Sequence, residues 1–114
     1  MYDMSQCTLD LTFLRGIDFS CKIEVNSADT GDPIDLSGST FRAQVRKTAS
    51  SEEVLAELDI DTSNSWQGIL LLSLPASVTE ADLSGVWDIL EYPPASEPEV
   101  LVGGRTYVSQ TVTR

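Results

Sequence analysis

Histidine does not occur in this chain, cysteine occurs twice, and Lys and Arg together number 7 against 18 Asp and Glu in 114 residues. Without histidine there is no proton shuttle titrating near neutrality and no imidazole ligand for zinc. Ser-His-Asp and Cys-His arrangements therefore cannot be built, and two thiols alone cannot close a structural zinc site. A formal charge of 7 − 18 = −11 leaves no excess of base with which to meet nucleic acid or an anionic membrane, so neither is expected as a partner. Long apolar runs are also missing. The longest, residues 69–74, is broken by Ser73 and stopped by Pro75, well short of the roughly 18 residues of a membrane span. The start, Met1-Tyr2-Asp3-Met4-Ser5-Gln6, has neither the basic beginning nor the apolar middle of a secretory signal, which predicts synthesis in a cytoplasm.

What is present suits one β domain over residues 1–114. The chain is of single-domain length, and 41% of it is hydrophobic, enough for a core. Period-two alternation dominates. Cys7, Leu9, Leu11 and Phe13 share one side of a first run, with Thr8, Asp10 and Thr12 on the other. Phe19, Cys21, Ile23 and Val25 alternate in the same way with Ser20, Lys22 and Glu24. Both cysteines thus read as small buried apolar residues. A hairpin turning at Arg15-Gly16 would set Cys7 opposite about Glu24, too far from Cys21 for a disulfide, which favours buried free thiols.

Further strands are expected at residues 41–46, 55–60, 69–74, 85–92 and 99 to about 112. The run at 69–74, apolar on both sides, reads as a strand covered on both faces, and Gly103-Gly104 as a bulge in the last strand or a bend between two sheets. Residues 77–82 read as a single helical turn opened by a Ser or Thr cap and followed by acids. Pro93 to Pro98 forms a stiff loop. About seven short strands and no long helix predict an all-β, antiparallel two-sheet β-sandwich, immunoglobulin-like in layout although without the antibody Cys and Trp framework. Asp35-Leu36-Ser37-Gly38 recurs as Asp82-Leu83-Ser84-Gly85. Asp and Ser cap tight turns, Leu anchors them to the core and Gly supplies an unusual backbone angle, so the echo reads as one turn used at two corners.

No catalytic residue and no cofactor is assigned. Phosphate and dinucleotide glycine loops are absent, and the paired acids Glu52-Glu53 and Asp59/Asp61 are unremarkable among 18. The segment from Asp59 begins like a calcium loop but has Asn64 where Gly is required and Leu70 where Glu is required. The aspartates at 29, 32 and 35 are explained by turns, so no metal is assigned either. What remains is a candidate interface. Trp66 lies in a polar loop and suits an exposed anchor, whereas Trp87 lies in a strand and suits the core. Arg42, Arg46 and Lys47 stand on or beside the outward side of one strand as a local positive stripe or as members of cross-strand ion pairs. Tyr92, with Trp66, Trp87 and Tyr107, could also line a sugar-stacking platform.

Leu9-Asp-Leu-Thr-Phe-Leu-Arg-Gly-Ile-Asp-Phe-Ser20, Gly31-Asp-Pro-Ile-Asp-Leu-Ser-Gly-Ser-Thr-Phe-Arg-Ala-Gln-Val-Arg46, Gly85-Val-Trp-Asp-Ile-Leu-Glu-Tyr92 and the closing Val108-Ser-Gln-Thr-Val-Thr-Arg114, taken in order, resemble small tail-associated proteins of bacteriophages, including the amino-terminal domain of baseplate upper proteins. The shared motifs are structural, not catalytic. The resemblance implies a non-enzymatic β-sandwich, made in the host cytoplasm, that docks to other virion proteins of the tail, baseplate or fibre in multiple copies. This chain stops at Arg114 without the coiled coil or receptor-binding segment that follows in that group, which implies a stand-alone adaptor. A capsid decoration protein and a carbohydrate-binding adhesin module are the alternatives. The net charge predicts a partner rich in Lys and Arg, and assembly that weakens as salt rises.

Overall fold

The computed structural model describes residues 9–27, 29–95 and 97–110. Seven strands follow one another: β1 (Leu11–Leu14), β2 (Phe19–Glu24), β3 (Thr40–Arg46), β4 (Val54–Asp61), β5 (Ile69–Leu74), β6 (Gly85–Tyr92) and β7 (Glu99–Ser109). A 3-10 turn, Ser65–Gln67, joins β4 to β5, and one helical turn, α1 (Ala76–Thr79), lies between β5 and β6. The hydrogen-bonded order is β1-β7-β6-β3-β4-β5-β2. The fold is an all-β two-layer sandwich, as the alternation predicts.

The layers are made by β4. Its first part pairs with β3, through Ala56 opposite Val45 and Leu58 opposite Ala43. Its last three residues, Asp59, Ile60 and Asp61, pair with β5. One strand therefore belongs to a larger sheet (β1-β7-β6-β3-β4) and a smaller one (β4-β5-β2). A one-residue shift opposite Val45 and Arg46 leaves Leu55 as a bulge at the start of β4, before the change of partner between Leu58 and Asp59.

Apolar residues at alternate positions of both sheets face each other across one core. Phe13, Ala43, Val45, Ile89 and Leu101 of the larger sheet and Leu70 and Leu72 of the smaller are wholly buried. Alternation is what permits this, because it puts every second side chain on the same side of a strand. Phe13 and Phe19 meet edge to face, with ring centroids 4.7 Å apart, where the chain passes from one sheet to the other. Among the described residues, every buried side-chain nitrogen and oxygen has a hydrogen-bond partner.

Several expectations are corrected. The first two runs do not form a hairpin. β1 lies parallel to β7, the exception in an otherwise antiparallel sandwich, while β2 pairs with β5. The Arg15-Gly16 turn carries the chain between sheets instead of folding it back. Arg15 Nε and Nη2 donate to the Glu80 carbonyl at 3.1 and 2.8 Å, tying the turn to the end of α1. The α1 turn starts at Ala76, without a side-chain cap from its own N-terminal residue, Pro75. The remote Asp18 carboxylate accepts from the Ala76 N–H at 2.7 Å in its place. β5 is covered on one face only, since Leu71 and Ser73 point to solvent.

The bulge in β7 is at Leu101, where Ile89 pairs with Val102 and Leu90 with Val100. Gly103 and Gly104 serve close approach instead. A Cβ on Gly104 would sit 2.3 Å from the Leu9 carbonyl oxygen. Here Leu9 donates its N–H to the Gly103 carbonyl at 3.0 Å, and Trp87 Nε1 donates to the Leu9 carbonyl at 2.7 Å. β7 ends at Ser109; Cys7 and residues 111–114 lie outside the described residues. Cys21 carries a free, half-buried thiol, and that burial raises its pKa.

The repeated corner is a local turn in both copies. Asp35 Oδ1 accepts from the Ser37 N–H at 2.9 Å and from its hydroxyl at 2.6 Å. Asp82 does the same with Ser84 at 3.1 and 2.6 Å. Leu36 and Leu83 are both buried. The glycines differ, however. Gly38 has φ +87, whereas Gly85 is required because a Cβ there would meet the Arg46 carbonyl oxygen at 2.2 Å.

Candidate docking surface

Pairing register decides which side chains leave the core. On the larger sheet the outward positions are Arg42, Gln44 and Arg46 of β3, opposite Leu90, Asp88 and Val86 of β6. These in turn lie opposite Val100, Gly103 and Arg105 of β7. Tyr92 pairs with Thr40, Tyr107 with Thr12 and Ser109 with Leu14, and Glu57 lies opposite Gln44. Leu14, Val100 and Tyr107 are 44, 51 and 49% exposed, so this is a substantially apolar face open to solvent.

The charges on it are ordered. Arg42 Nε donates to Glu57 Oε1 at 2.8 Å, and that partnership raises the Arg42 pKa. Arg46 is held down at the start of the β3–β4 loop, with Nη2 donating to Gln44 Oε1 at 2.9 Å and Nη1 to the Ser51 carbonyl. Asp88 is pushed above the usual carboxylate range by burial, an effect partly offset by the Arg46 charge. Between β3, β6 and the loop after β3 lies a shallow groove of about 290 Å³, lined by Gln44, Arg46, Ala49, Val86, Asp88 and Leu90 among others.

Arg42, Arg46 and Arg105 against Asp10, Glu57 and Asp88 give this face 3 − 3 = 0, with the Asp10 carboxylate accepting from the Arg105 N–H at 2.9 Å. The rest of the chain carries 4 − 15 = −11, the whole of the net charge. The outward side of the smaller sheet has the opposite character. Ser20, Lys22 and Glu24 of β2 stand opposite Ser73, Leu71 and Ile69 of β5, while Asp59 and Asp61 flank them from β4. Lys22 is engaged by Glu24 at 3.0 Å. Asp61 is held below the usual range by the Ser63 hydroxyl and N–H.

Of the residues singled out by sequence, Arg42, Arg46 and Tyr92 come together on the outward side of β3 and β6. Arg42 is both in the stripe and in a cross-strand ion pair. Lys47 is exposed just past the end of β3. Trp66 is 59% exposed, but it sits in the Ser65–Gln67 turn between β4 and β5, away from these strands. Trp87 is core. Among the described residues the aromatic rings in contact are Phe13 and Phe19; Tyr92 and Tyr107 lie on the outward side of the larger sheet and Trp66 in the turn between β4 and β5. Among the same residues no three of Cys, Asp and Glu gather as metal ligands, and no helix is long and apolar enough to cross a membrane. Leu90, Val100 and Arg105 were not singled out by sequence. Val100 sits in the run Val100-Leu101-Val102, where the bulge hides which residue faces out.

No family model matches the chain, and no curated protein matches it. Among solved structures it is similar to a crystal structure of a chicken TCR, at a TM-score of 0.55 and 10% identity, over 95% of this chain and 50% of that one. The chain therefore spans half the length of that structure, and the likeness shows an immunoglobulin-like sandwich and nothing about activity.

Proposed function

We propose that this chain is a non-enzymatic structural protein of a bacteriophage virion, located in the tail or baseplate, where it docks fibres to the tail machine as an adaptor. The reading is carried by the resemblance of an ordered run of segments to tail-associated proteins. Its parts occupy framework positions here: Arg15-Gly16 at the crossing between sheets, Asp35 to Gly38 at a corner, and the strand ending Arg42-Ala-Gln-Val-Arg46 on the outward face of the larger sheet. A rigid sandwich with one outward face of distinct chemistry is what an adaptor uses, since it can be held by that face while its other surfaces remain solvated.

The test is to purify particles of a phage encoding this chain, separate heads from tails and probe both with an antibody to it. The expected result is signal in the tail fraction, and fibreless tails when the gene is deleted. Signal confined to heads would make the chain a capsid decoration protein instead, and absence from particles would end the virion reading.

A further inference from the structure

We infer that the outward face of the larger sheet is a contact surface for a second copy of this chain, joined face to face about a two-fold axis. Charge points to that occupant. Fifteen acids against four bases lie elsewhere on the molecule, a sum of −11, while this face sums to zero and carries both signs. Two copies meeting here set their acid-rich smaller sheets on the far sides of the pair, whereas any contact through those sheets brings like charges together.

Apolar content points the same way. Val86, Leu90, Val100, Tyr107 and Leu14 lie outward on three neighbouring strands, and Val100, Tyr107 and Leu14 are each more than two-fifths exposed. The outward side of the smaller sheet offers Leu71 and Ile69 among Ser, Lys, Glu and Asp.

Size permits a stable pair. Five strands at about 4.8 Å and eight residues at about 3.3 Å span a face of roughly 24 by 26 Å, about 600 Å² in projection. The accessible area of a corrugated surface exceeds its projection, which brings this face to about the 800 Å² per partner of a standard interface. A self-facing contact also makes use of the groove between Arg46 and Leu90, which can receive an apolar side chain of the other copy. Nothing here depends on the chain being a virion protein: pairing concerns the isolated chain in solution, and its failure leaves the head-and-tail experiment unaffected.

Sedimentation velocity over a concentration series, at low and at physiological salt, tests the inference. The full chain is expected to pass from monomer to dimer as concentration rises. It is expected to do so at lower concentration in physiological salt, where the repulsion between acidic bodies is screened. Val100→Asp combined with Tyr107→Asp should weaken pairing by about tenfold or more. Both positions are exposed, and an unchanged circular dichroism spectrum with an unchanged melting temperature verifies the fold. Leu71→Asp, on the opposite face, should leave pairing as it is. A chain that stays monomeric throughout overturns the inference. So does pairing that is lost in Leu71→Asp and kept in the double variant.

Discussion

The two outward faces of this sandwich are built from the same kind of strand, lie over one core and yet differ in chemistry. On the smaller sheet, Lys22 is paired with Glu24 and Asp61 with Ser63, and the lone exposed large apolar side chain is Leu71. Ser20, Ser73 and Asp59, also outward there, are polar and exposed. On the larger sheet, Arg42 is paired with Glu57 and the Arg105 N–H with the Asp10 carboxylate, and Val100 and Tyr107 stand half exposed. The difference shows that net charge is a poor guide to a docking surface. A sum of −11 suggests a uniformly acidic body in search of a basic partner, but register gathers three of the seven bases on one nearly neutral, apolar face.

The comparison holds only if the faces differ while the interior is shared, and truncating the core tests that part with the largest expected effect. Ile89 of the larger sheet and Leu72 of the smaller are both fully buried, so each change to Ala should cost about 2–5 kcal/mol in chemical denaturation, in a single cooperative transition. Separate transitions would mean that the sheets do not share a core.

Next in size is Gly104→Ala. The new Cβ meets backbone at Leu9, which cannot swing away as a side chain could, so the cost should be about 3 kcal/mol. The loss should also be one-sided. Amide exchange should quicken in β1 and β7 of the larger sheet more than at Ile23 or Leu72 of the smaller.

The two Asp-Leu-Ser-Gly corners supply a finer contrast. Gly38→Ala should cost about 1 kcal/mol for its positive φ. Gly85→Ala should cost about 2 kcal/mol or more, because a Cβ collides with the Arg46 carbonyl. Equal costs in thermal unfolding would mean that the corners are equivalent after all.

The smallest effects are in titration, and the two faces should differ in sign. Asp61, with Asp35 and Asp82, has a folded pKa below its ordinary value because Ser63, Ser37 and Ser84 respectively donate to the carboxylate. Each therefore contributes stability above its unfolded pKa and loses it as pH falls through the folded one. Asp88 runs the other way. Burial raises its pKa, so its ionised form is a cost that acid lifts. Carboxyl carbon shifts followed by NMR should place Asp61 below and Asp88 above the ordinary Asp range. Ser63→Ala should return Asp61 to that range, and Arg46→Gln should move Asp88 further up.

Much of the fold was legible because alternation is a strong local signal. Phe13, Ile23, Val45 and Ile89 could be assigned to the core before any pairing was known. The two corners were legible because an Asx turn is completed within three residues. Pairing partners were not legible. β1 and β2 are adjacent in sequence and read as a hairpin, but nothing in their alternation records that Arg15 is tied to Glu80 and that β1 lies against β7. For the candidate site, the outward strand at Arg42 and Arg46 and the exposure of Trp66 could be read directly. That Tyr92 joins those arginines while Trp66 does not, and that Leu90, Val100 and Arg105 complete the face, depends on register across three strands.

Concentration-dependent amide shifts test most directly whether the two faces differ in use. Spectra recorded from dilute to concentrated protein should show shifts growing together at Val86, Leu90, Val100, Arg105 and Tyr107, with Lys22, Leu71 and Ser73 unmoved. Shifts centred on the latter three, or spectra that do not change with concentration, would contradict the assignment of the larger sheet as the docking face.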